Sequence, residues 1–137
     1  MITTEGMNYL LNAGLKNGAQ IGDWYVFPFK ANYTPTAGDT AAVTVPLLTE
    51  STAYEGTTRA GVALGAVANG SVDNSASVVS LTATVEETWY GAALISTGTR
   101  GQAAGVLMKV EKFAAPILMT VGSRLELLVD IDLLQPA

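Results

Sequence analysis

Between Arg124 and Leu133 the chain alternates with a period of two: Leu125, Leu127, Val129, Ile131 and Leu133 are aliphatic, while Arg124, Glu126, Asp130 and Asp132 are charged. Only Leu128 breaks the polar face. A helix would scatter the five aliphatic side chains around its circumference, whereas a strand lays them on one side. Burying them would contribute about 1.5–3 kcal/mol each before entropy is counted. The same alternation recurs at Val79, Leu81, Ala83 and Val85, which predicts a half-buried strand ended by Glu86-Glu87. It recurs again at Trp24 to Lys30, where Tyr25, Phe27 and Phe29 face one way and Trp24, Val26 and Pro28 the other. Pro28 has no N–H, so that strand is expected at an edge or a bulge.

Further strands are predicted at Arg59–Val67, weakened by glycine, and at Trp89–Ser96. Shorter ones are expected at Ala42–Val45, Gly105–Val110 and Ile117–Val121, the last two separated by a break at Pro116. Asn69-Gly70 is the strongest turn dipeptide in the chain. Leu47 to Thr57 shows no clear period and reads as an arm or loop with room for a short helix. Only the N-terminal stretch has helical spacing: Met7, Leu10, Leu11 and Leu15 form one stripe, expected to dock on the body. Thr3 or Thr4 can cap it, Gly18 offers a left-handed end, and small Gly14 is expected where the helix approaches its support. Short strands at 8–12-residue spacing with Gly/Asn turns predict a mainly-β fold, a small antiparallel β-sandwich of jelly-roll or immunoglobulin-like type. The expected organisation is one domain over residues 1–137, with one amphipathic helix at about 4–17 and the sandwich at about 22–134.

Composition narrows the chemistry. The chain contains no cysteine and no histidine, which excludes disulfides, thiolate zinc sites and histidine-dependent nucleophilic catalysis. Seven Lys/Arg against twelve Asp/Glu give a net charge of −5, a poor balance for holding nucleic acid. No apolar run reaches the roughly 18 residues of a membrane span, and no basic leader is evident, so no membrane partner is expected. Charged residues make up 14% of the chain, against about 25% in an average domain, and this scarcity implies surface hidden against something else.

Candidate sites are few. Glu126, Asp130 and Asp132 share one strand face and could hold calcium with oxygens from other strands, but a solvated acidic face accounts for them better. Asp39 and Asp73 fit turns in which a carboxylate bonds its own backbone. The glycines lack the spacing of a phosphate or dinucleotide loop. No catalytic, cofactor-binding or metal-binding residue is predicted, and the chain is read as a non-enzyme without cofactors. Protein contact remains, with Tyr33, Tyr54, Arg59 and Leu128 as candidates.

Several segments carry a resemblance: Trp24-Tyr25-Val26 through Phe29-Lys30-Ala31-Asn32-Tyr33-Thr34-Pro35, Tyr54-Glu55 leading to Thr58-Arg59, and Trp89 through Ser96. With Asn74-Ser75-Ala76, Gly105-Val106-Leu107 before Lys112-Phe113, and Glu5-Gly6 with Asn8-Tyr9, the chain resembles a family of small virion proteins of tailed bacteriophages. The resemblance implies a structural component, a capsid decoration or cement protein on the capsid exterior that binds the major capsid protein lattice. The scarcity of charge predicts a homo-oligomer, with a trimer preferred to a dimer because closed symmetry hides such surface efficiently. The alternative the resemblance leaves open is a neck, tail or fibre-associated protein with a host-surface carbohydrate-binding role.

Overall fold

Two apolar cores lie on opposite faces of one four-stranded antiparallel sheet. The computed structural model describes residues 1–133. Its elements run α1 (Thr4–Leu15), β1 (Trp24–Phe29), α2 (Ala41–Leu48), β2 (Ala60–Val62), β3 (Ser71–Asp73), β4 (Val79–Thr82), β5 (Glu87–Ile95), β6 (Leu107–Met119), β7 (Arg124–Leu127) and β8 (Asp130–Asp132). The sheet order is β2-β1-β5-β6, and β3-β8 and β4-β7 form two separate antiparallel ribbons. The fold is therefore mainly β and antiparallel, as the alternation predicts, with two helices instead of one.

The alternation in β1 explains the two cores. Val26 faces the ribbons and packs with Leu81, Trp89, Leu94, Leu127 and Ile131. Phe27 and Phe29 face the other way and pack with Ile95, Leu107 and Val110 under α2. A strand covered on both sides buries both of its faces, and Val26 to Phe29 are all buried. Pro28 sits where β1 has outrun β2, and there the chain segment at Glu50 and Ser51 covers the strand instead. Gly91 lies opposite Phe29, and a Cβ at this position would strike the Phe29 ring and the Glu111 carbonyl.

Helix α2 replaces the strand expected at Ala42–Val45. Ala41, Thr44, Val45 and Leu48 are its buried residues, a spacing of i, i+3, i+4, i+7. The Thr40 side chain caps it by accepting from Val43 N–H at 3.3 Å, and Thr49 ends it in a left-handed conformation. Pro46 stands inside the helix, on its exposed side.

Pro116 does not divide the following region either. β6 runs unbroken through it as an edge strand, because a register shift opposite Trp89 and Gly91 absorbs the extra residues. A second shift opposite Leu94 and Ile95 makes Met108 the extra residue, so Leu107 and Val110 enter one core while Met108 enters the other. The N-terminal residues lie along the β6 edge, with Thr3 N–H donating to Met108 O at 3.0 Å.

The closing strand is two short strands. β7 pairs with β4 and β8 with β3, and the change of partner falls at Leu128 and Val129. Asn74, fully buried, bridges the gap: its Oδ1 accepts from Val129 N–H at 2.7 Å and its Nδ2 donates to Leu127 O at 3.3 Å. Leu127, Val129 and Ile131 point inward as expected, but Leu133 is exposed, and so is Val85 at the end of the earlier alternation. The strand expected over Arg59–Val67 is confined to Ala60–Val62. Asn69 and Gly70, both at positive φ, form the predicted two-residue turn between Ala68 and Ser71. Residue 134, the expected end of the sandwich, lies outside the described residues.

Candidate functional site

Two of the four predicted contact residues turn out to be internal. Arg59 is 1% exposed, because its guanidinium joins three chain segments. Nε and Nη2 donate to the two carboxylate oxygens of Glu50 at 3.0 and 2.6 Å, while Nη1 and Nη2 donate to the carbonyls of Thr97 and Gln102 at 2.9 and 2.8 Å. The guanidinium carbon also lies 4.5 Å from the centre of the Phe27 ring. This bidentate pair locks the arm after α2 to the loop after β5. Nothing in the spacing of Glu50 and Arg59 announces it, since Glu50 comes from a segment without a clear period.

Tyr54 is 3% exposed and packs edge-on against Trp89, with ring centres 6.4 Å apart. Burial raises its phenol pKa above the ordinary 10.0. Arg100 covers the outer face of the ring at 4.0 Å and donates to Thr52 O at 3.0 Å and Thr58 O at 3.2 Å. Neither Tyr54 nor Arg59 offers its side chain to a partner. Tyr33 is half-buried, and its hydroxyl donates to Asp39 Oδ1 at 2.6 Å, which raises the phenol pKa. Burial alone would raise the Asp39 carboxyl, but the Tyr33 bond and those from Thr36 outweigh it and hold the carboxyl below its ordinary 3.8. Asp39 and Asp73 bond nearby backbone N–H groups, as expected of their turns.

The three carboxylates of the closing segment do not converge. Asp130 pairs with Lys109 Nζ at 3.1 Å, and that bond holds its pKa below 3.8. Asp132 accepts from the Ser71 hydroxyl, and Glu126 lies 3.5 Å from Arg124 Nη2. Glu5, which is not among the predicted site residues, ties three elements together. Its Oε2 accepts from Ala41 N–H at 2.9 Å and Leu107 N–H at 2.7 Å. In each of these places the polar groups serve the fold.

Several aliphatic side chains also stand exposed on the surface. Leu128 is 60% exposed beside a shallow groove of about 100 Å³, whose lining includes Val26, Phe113, Lys109 and Asp130. Of the expected docking stripe on helix α1, Leu10 packs on the body, whereas Met7, Leu11 and Leu15 stand at 41%, 52% and 77% exposure, which overturns the docking role of those three. Beside Leu10 the helix packs through Gly6, whose missing side chain lets Met108 approach, and through Tyr9. Thr3 caps it by accepting from Gly6 N–H at 2.9 Å, and Asn17 takes the left-handed end position expected of Gly18. Nothing lies within 4 Å of where a Cβ on Gly14 would sit, so Gly14 is not the point of close approach. On α2, Val43 and Leu47 are exposed. Val85, Leu118 and Val121 are exposed at one end of the fold, where residues 83–87 run beside 119–123.

Between α1 and the segment at 64–72 lies a larger cleft of about 280 Å³, walled by Tyr9, Leu10, Trp24, Leu64 and Val72. Among the described residues no helix is long and apolar enough to cross a membrane, and no three His, Cys, Asp or Glu side chains gather as a metal cluster. Compared with known proteins, the sequence matches no family model and no curated protein.

Proposed function

We propose that this protein is a non-enzymatic structural component of a tailed-phage virion, a decoration protein seated on the capsid exterior against the major capsid protein lattice. The observation that carries the reading is the placement of bare aliphatic side chains on separate faces: the outer side of α1, the outer side of α2, and the end bearing Leu118 and Val121. A monomer gains nothing from such faces, whereas a lattice component meets several neighbours at once and covers them all. The internal use of Arg59, Glu50, Asp39 and Glu5 supports the reading further, since their polar atoms are occupied in holding the fold. A net charge of −5 favours a position away from the packaged genome. Repetition over a lattice gives such modest contacts avidity.

The test is to identify the chain by mass spectrometry in purified virions and to locate its density in a cryo-electron-microscopy map. Density on the outer capsid shell is the expected result. Density confined to the neck or tail overturns the capsid placement, and absence from the particles overturns the virion assignment.

A further inference from the structure

Residues 3–6 grip the two helices at one point of the main sheet. The register shift that makes Met108 an extra residue turns Leu107 toward the core under α2 and Met108 toward α1. Thr3, fully buried, donates its N–H to Met108 O at 3.0 Å and its hydroxyl to Leu107 O, and its hydroxyl oxygen accepts from Gly6 N–H at 2.9 Å. Thr4 N–H donates to Ala37 O at 2.8 Å, in the loop that leads into α2. Glu5 Oε2 accepts from Leu107 N–H at 2.7 Å and from the N–H of Ala41, the first residue of α2, at 2.9 Å. Gly6 then seats α1 on Met108 with no space for a Cβ between them.

We propose that residues 3–6 are a clasp that couples the two helices, so that lifting α1 from Met108 uncaps α2 and loosens it. Helix α2 cannot hold itself. Its eight residues fall short of the about 12–15 at which an isolated helix becomes marginal, and Pro46 deletes one of its internal hydrogen bonds. In its first turn Val43 N–H reaches the Thr40 side chain only at 3.3 Å, whereas Ala41 N–H has the Glu5 carboxylate. A negative charge is also the one a helix start favours, so Glu5 acts on α2 through its hydrogen bond and through the dipole. The far end of α2 is tied to the chain leaving β1, by Lys30 N–H to Thr49 O at 2.9 Å and Ala31 N–H to Leu48 O at 3.0 Å. Opening therefore starts at the Glu5 end. The coupling is reciprocal, so whatever restrains one helix restrains the other. The inference concerns the isolated chain, so its failure leaves the virion reading standing.

Native-state hydrogen exchange in low urea, resolved residue by residue by NMR, tests the clasp on the unaltered chain. The amides of Leu10 in α1 and Val45 in α2 are expected to share one opening with one urea slope, smaller than the slope at Leu94 in β5, which opens with the whole fold. Gly6→Ala presses a Cβ against Met108 and should speed exchange at Leu10 and at Val45 by the same factor, roughly tenfold. Glu5→Ala removes the link to Ala41, so in that background Gly6→Ala should still speed Leu10 but add nothing at Val45. A Val45 rate that stays native while Leu10 speeds, a Val45 response to Gly6→Ala that persists without Glu5, or α2 amides that open only together with β5 would each overturn the proposal. The urea slopes of the unaltered chain decide it even where a variant fails to fold.

Discussion

Removing Arg59 should cost more stability than removing any other polar side chain in the molecule. The Arg59→Met substitution keeps the volume and the contact with Phe27 but deletes the bonds to Glu50, Thr97 O and Gln102 O. Water does not replace them at Glu50, whose side chain is 7% exposed and keeps only the Gly101 N–H at 3.2 Å. Breaking a buried pair from one side costs about 3–5 kcal/mol, because it strands the other charge. That is a large part of the roughly 5–15 kcal/mol that holds a domain together. With a urea slope of about 1–3 kcal/mol/M, the unfolding midpoint should fall by about 2 M. The double variant Arg59→Met/Glu50→Leu should recover part of the loss, since Thr97 O and Gln102 O lie near enough to the surface to take water. Urea unfolding followed by the two tryptophans measures all of this in one cycle. A single-variant loss below about 1 kcal/mol, or strict additivity across the cycle, would refute the claim that the pair is desolvated and coupled.

The two α1 glycines should respond with opposite signs. Gly6→Ala places a Cβ 2.8 Å from Met108 Sδ and 2.9 Å from its backbone, so a loss of about 1–3 kcal/mol is expected. Gly14→Ala meets nothing and should raise the stability of the monomer by up to about 1 kcal/mol, measured by thermal melts at low concentration. Asn74→Ala leaves the Val129 N–H without its partner inside the fold and should cost about 1–3 kcal/mol, with faster amide exchange at Val129 as the specific sign. The Tyr33–Asp39 bond should shape both limbs of the stability–pH curve. The Asp39 carboxyl is held below 3.8, so its contribution is present above that value and is lost as pH falls through the lowered folded pKa. The Tyr33 phenol is held above 10.0, so its contribution is present below that value and is lost as pH rises through the raised folded pKa. Asp39→Asn should flatten the acid limb, and an unchanged limb would remove Asp39 as its source.

Most strands are legible in the sequence because their alternation reports burial directly. Phe27 and Phe29 separate from Trp24 and Val26 as the period of two requires, and the two pairs enter different layers. Asn69-Gly70 makes its turn for a local reason, since both residues sit at positive φ. Tertiary context decides the places where sequence and structure part. Pro116 suggests an end, but on an edge strand with a register shift its missing N–H is harmless. The closing alternation runs straight through Leu128 and Val129, yet the ribbons it joins are separate, and buried Asn74 marks the change. In α2 the helical signal is present at Ala41, Thr44, Val45 and Leu48, but β-branched residues and Pro46 argue locally for a strand.

Burial of the candidates Arg59 and Tyr54 escapes the sequence for a different reason, and α1 makes it plain. A stripe of Met7, Leu11 and Leu15 says that something apolar covers this face; it does not say whether the cover belongs to the same chain. From sequence alone the body is the natural cover, because a lone domain has nowhere else to hide leucines. Here Gly6 makes the contact instead, since a residue without a side chain lets the helix seat on Met108 and frees the larger residues to face outward. Arg59 and Tyr54 show the converse, large polar and aromatic groups drawn inside, where Glu50 pairs with the guanidinium and Arg100 covers the ring. In a chain with so few charges, the exposed leucine is thus a better guide to a partner than the arginine or tyrosine.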